Sequence, residues 1–182
     1  LYTQTGQPAK ALAVINSRKF PPWEGGEGVA FGQWTRANLL LGQQALVRTQ
    51  SLERRPVTRQ HLLQSAIGYF QAALTAPHNL GEARHLLANQ SDIHYWLGRT
   101  FSEADDQKRA KHHWQLAATF KGDFQEMSVR TFSEMTYYSA LAYERLGQPS
   151  KARRLLDELL AYAKKLQRTP AKIDYFATSL PA

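Results

Sequence analysis

The stretch WLGRTFSEADDQKRAKHHWQLAATF, Trp96 to Phe120, decides the fold. With His94 just before it, Leu97, Gly98 and Phe101 fall at i, i+3, i+4 and i+7, one face of a helix. Ala110, Trp114, Ala117 and Ala118 mark one face of a second helix, and the polar, turn-prone EADDQ lies between them. Gly98 and Ala110 lack bulk. They predict two antiparallel helices packed at the short end of the roughly 8–10 Å range, with Trp114 filling the space toward a neighbouring unit. Close approach would explain a glycine inside a helix, where it costs about 1 kcal/mol in propensity.

The pattern recurs. Shifting the chain by 42 residues sets Ser91–Gly98 beside Ser133–Ala140 and pairs Phe101 with Tyr143, Ala110 with Ala152, Trp114 with Leu156 and Ala117 with Leu159. Small residues stay small and bulky ones stay bulky, as in an internal repeat. Upstream, Ala66, Phe70, Ala73 and Leu74 repeat the second-helix signature before Pro77, and Leu41-Gly42 belongs to the partner helix. Gly42 to Ala66 spans 24 residues against 12 for Gly98 to Ala110. The excess is expected in a loop around SLERRPV, where Pro56 breaks the helix.

Leu97-Gly98, Phe101, Ala110, Trp114 and Ala117 resemble the tetratricopeptide repeat family. The chain departs from that family at His94 and Thr136, where an early aromatic is usual, in its period, and at Gly122, where proline is usual. The resemblance implies an all-α superhelix of about three helix pairs, with a partial unit at the N-terminus and a C-terminal helix. Residues 1–27 read as that partial unit and a glycine-rich connector, Gly25, Gly26 and Gly28 marking the passage into the next helix. Residues 28–165 read as the repeat array, and 166–182 as a segment, proline-started, that covers the last unit or begins another. NLGEARHLLANQSDIHYWLG, FSEMTYYSALAYERLG and IDYFATSLP are similar to large bacterial proteins that join such repeats to an uncharacterised β-rich region. That likeness implies one part of a multidomain chain.

Composition bounds the function. Hydrophobic content of 43% and charged content of 21% suit a folded domain, and no apolar run is long enough to span a bilayer. There are no cysteines, which excludes disulfides and thiolate metal sites and agrees with a cytoplasmic location. The net charge of +8 sits in residues 1–60 and 121–182, while the middle third is neutral. Solvated helix faces explain it more simply than nucleic-acid binding does. EGGEG lacks the Lys-Ser/Thr of a phosphate loop, and neither HExxH nor GxSxG occurs. The six histidines show no ligand spacing, so neither a metal nor another cofactor is expected.

What remains is binding. First helices of stacked pairs line the concave side of a solenoid. The expected groove comprises Arg36, Leu39 and Gln43, then Asp92, Tyr95 and Arg99, then Glu134, Tyr137, Leu141 and Arg145. Core packing is the alternative for the two tyrosines. Its partner would be a peptide, another protein or a further domain of the same chain, with a second copy also a candidate. The rival reading is a carbohydrate or small-molecule pocket from Glu82, Arg84, His85, Asn89 and Gln90, against which stands a structural role in capping and bracing the next helix.

Overall fold

The structure, a computed structural model, describes residues 2–21, 28–52, 55–125 and 128–170. Among them are seven α-helices: α1 (Pro8–Asn16), α2 (Val29–Thr49), α3 (Pro56–Leu74), α4 (Ser91–Glu103), α5 (Gln107–Thr119), α6 (Met135–Arg145) and α7 (Pro149–Gln167). The fold is all-α. Helices pack as chain neighbours, α1 on α2, α2 on α3, α4 on α5 and α6 on α7. The pairs are joined by α3 against α4 and by α5 and α4 against α6. The 42-residue shift carries α5 onto α7 at their first residues and α4 onto α6 within two.

Size matching fixes the spacing within each pair. A Cβ on Gly42 would lie 2.5 Å from the ring of Phe70, and one on Gly98 would collide with the indole of Trp114. Trp114 therefore lies directly over Gly98 within its own pair. In the last pair the matched stations hold Ala140 and Leu156, a larger residue facing a smaller one. Phe70, Leu97, Phe101, Ala110 and Trp114 join Ala142 in the main core, and Ile15, Phe31 and Leu80 form a smaller one beside α1.

The expectation about the connection between α2 and α3 needs correction. Ala66 lies ten residues into α3, whereas Ala110 lies three into α5, so most of the extra length before Ala66 is helix and not loop. Pro56 does not break a helix. It starts α3, in the first turn, where the missing N–H has no partner to lose. The connection between α5 and α6, for which the sequence carries no specific expectation, holds a hairpin, β1 (Asp123–Gln125) paired antiparallel with β2 (Ser128–Arg130). Gly122 enters it at φ +70°, packed against the backbone of Arg130, a conformation and a clearance that favour glycine.

Gly25, Gly26 and the segment from Ala171 onward lie outside the described residues.

Candidate partner-binding site

The connection from α3 to α4 carries the residues expected to form a polar pocket, and their hydrogen bonds go to other parts of the chain. The Glu82 carboxylate accepts from the N–H groups of Gly28 and Phe31 at 2.6 Å each, capping α2 from far along the sequence. Arg84 donates to the Ala73 carbonyl at 2.6 Å, at the end of α3, and lies 4.7 Å over the Phe31 ring. His85 stacks on Phe124 of the hairpin with centroids 3.6 Å apart. Asn89 accepts from the Ser91 N–H at 2.9 Å, donates to the Gly122 carbonyl, and gives its backbone N–H to Asp123. Gln90 adjoins the first residue of α4 and is half-buried. The segment is a brace across three helix ends and a hairpin. These bonds are those of the capping and bracing alternative.

The ten groove candidates divide. Arg36, Glu134, Tyr137 and Arg145 are exposed, while Leu39, Gln43, Arg99 and Leu141 are half-buried. Asp92 and Tyr95 are buried, at 8% and 6% exposure, which corrects their assignment to an open face. Tyr95 lies in the main core with its ring 5.9 Å from that of Tyr138 on α6. The next helix covers it. Burial raises the Asp92 pKa to about 6, against the pull of the Ile93 N–H and the Arg84 cation. Arg99 lies over Trp96 at 5.1 Å and reaches Glu103 at 3.4 Å.

Sequence reasoning missed a histidine pair. His94 on α4 and His113 on α5 approach Nδ1 to Nδ1 at 3.0 Å, so one proton is shared between two facing nitrogens. Burial, then neighbouring charge from the other histidines and from Arg109 or Arg84, holds both near pKa 4. Nothing local in the sequence marks the pair, because its members belong to different helices. Among the described residues no group of three or more His, Asp or Glu gathers to hold a metal ion. Nor is any described helix long and apolar enough to cross a membrane.

It also missed a cleft. The early turns of α3, the end of α2 and the turn between α4 and α5 line a cavity of about 670 Å³. Leu63, Ile67 and Pro56 give it apolar surface. Gln60 and Gln64 bring amides from one face of α3, and Gln50 adds another from the end of α2. Glu103, Asp105 and Arg109 close the far side. Arg59 is braced by its bond to the Glu103 carbonyl at 2.8 Å, and Thr49 donates to the Glu103 carboxylate at 3.2 Å. The signal was present as the long Gly42–Ala66 interval, misread as loop.

No protein-family model matches the chain, and no solved structure matches it.

Proposed function

We propose that the chain is a non-enzymatic helical-repeat scaffold of tetratricopeptide type, its pairs curling into a superhelix that holds an extended peptide or a segment of another domain. The observation that carries this reading is the cleft at the helix ends, whose volume falls in the range of ligand pockets. Side-chain amides at Gln50, Gln60 and Gln64 both donate and accept, as a peptide backbone requires, and the apolar surface of Leu63 and Ile67 suits one anchoring side chain. The half-buried first-helix residues Leu39, Gln43, Arg99 and Leu141 supply a second, shallower surface for the same partner.

A carbohydrate site is the weaker reading, since the cleft lining contains no aromatic ring on which a sugar could lie.

The test is selection from a random-peptide display library, followed by titration of a selected peptide against a variant with the cleft filled. Gln64→Trp should weaken binding at least about tenfold, or about 1.4 kcal/mol, with unchanged helicity. Unchanged affinity would reject the cleft.

A further inference from the structure

We propose that the cleft takes an acidic side chain of the partner segment, with its carboxylate held by Arg59; the inference rests on the peptide-binding reading above. Four charged residues among those described line the cleft: Arg59, Glu103, Asp105 and Arg109. Two of them already have charged partners. Glu103 is reached by Arg99 at 3.4 Å and by the Thr49 hydroxyl at 3.2 Å. Arg109 pairs with Asp106 at 2.6 Å and lies 4.3 Å over the Phe101 ring. Arg59 faces no carboxylate among the described residues, where its hydrogen bond is to the Glu103 carbonyl at 2.8 Å.

A neutral carbonyl fixes a guanidinium without cancelling its charge. The group carries several N–H donors in a planar fork, so a single bond leaves others to offer, and a carboxylate can take two of them in parallel. Arg59 is also half-buried. Water screens such a cation less than one in open solvent, which strengthens a charge-assisted pair. Asp105, exposed on the far side, also lacks a charged partner among the described residues and repels an acid placed there. The lining therefore offers a carboxylate one favourable position, on the α3 wall.

The spacing on α3 sets the form of the segment. Arg59, Leu63 and Ile67 fall at i, i+4 and i+8, one stripe of the helix, with Leu63 3% and Ile67 7% exposed at its inner end. One step of four residues advances about 6 Å along the axis. Alternate residues of an extended peptide share a face and lie about 6.6–6.8 Å apart. An acid and an apolar residue separated by one position thus match Arg59 and Leu63 together.

The test uses the full chain and peptides selected from the random display library. Peptides whose binding is lost with Gln64→Trp should carry Asp or Glu one position removed from an apolar residue. Changing that acid to its amide should weaken binding at least about tenfold, and Arg59→Gln should do the same to the acidic peptide. Against the amide peptide, Arg59→Gln should cost nothing further, a coupling that a merely bracing arginine would not show. Cleft-dependent peptides without an acid, or equal losses for the acid and amide forms, would overturn this proposal and leave the peptide reading standing. Peptides indifferent to Gln64→Trp would overturn both. Self-association of the chain that Gln64→Trp abolishes would give the cleft to a second copy, and that too would overturn the proposal.

Discussion

Trp114 occupies the volume that a side chain on Gly98 would need, so the two residues have to be read together. Gly98→Ala should destabilise the chain by about 1–3 kcal/mol through overpacking. Adding Trp114→Leu, which copies the Ala140 and Leu156 combination of the last pair, should recover much of that loss. Thermal melts of the two single variants and the double variant give the coupling, and strict additivity would refute the matching. Tyr95→Ala should cost about 3–5 kcal/mol if it behaves like other buried aromatic truncations. The histidine pair gives a pH dependence whose sign can be worked out. His94 and His113 are held near pKa 4, below the ordinary 6.5, so the unfolded chain takes up protons first on acidification. Stability from the pair should fall between about pH 6.5 and 4. Asp92, raised from 3.8 to about 6, acts oppositely: its contribution is greatest below pH 3.8 and is lost as pH rises toward 6. Denaturation midpoints should therefore decline less steeply with acid for His94→Leu and more steeply for Asp92→Asn. Identical profiles would contradict both assignments. At this scale the small stations were legible in the sequence because residue size is visible there. His94 facing His113 was not, since tautomers and ring directions follow from packing.

At the scale of elements, α4 and α5 could be read directly because their apolar positions keep a clean helical period. α3 was only half legible. Its first turns bury little, so nothing periodic distinguishes them from a loop, and Pro56 suggests a break as readily as a start. The cleft those turns create was lost with them. The hairpin was missed for a related reason: strands of three residues are too short for alternation to register. Capping by a residue more than fifty positions away leaves no local signature either. Glu82→Ala should cost about 1–2 kcal/mol, the range for loss of an N-terminal cap. Amide exchange should rise first in the opening turn of α2. Uniform exchange across α2 would show that the carboxylate is dispensable there.

For the whole molecule, the order of helices and their pairing was legible, because a repeat reports its own period. The binding surface was legible only as a class. Groove and core stayed open as readings of Tyr95, because register alone does not reveal the α6 ring that covers it. Charge belongs to this scale too. Arg154 is paired with Glu158, and the surplus of +8 is divided between the two ends of the sequence, so binding to a nucleic acid should be weak and lost on raising salt. Filter binding at two salt concentrations checks this; tight, salt-insensitive retention would refute it.

An array held together only by contacts between neighbours can unravel from either extremity, one unit at a time. The run from Glu82 to Asn89 forbids that order here, because it is fastened at once to the start of α2, the end of α3, the entry to α4 and the hairpin beyond α5. Heat should dissolve α2 through α5 in a single step, leaving only α1 and α7 to fray ahead of it.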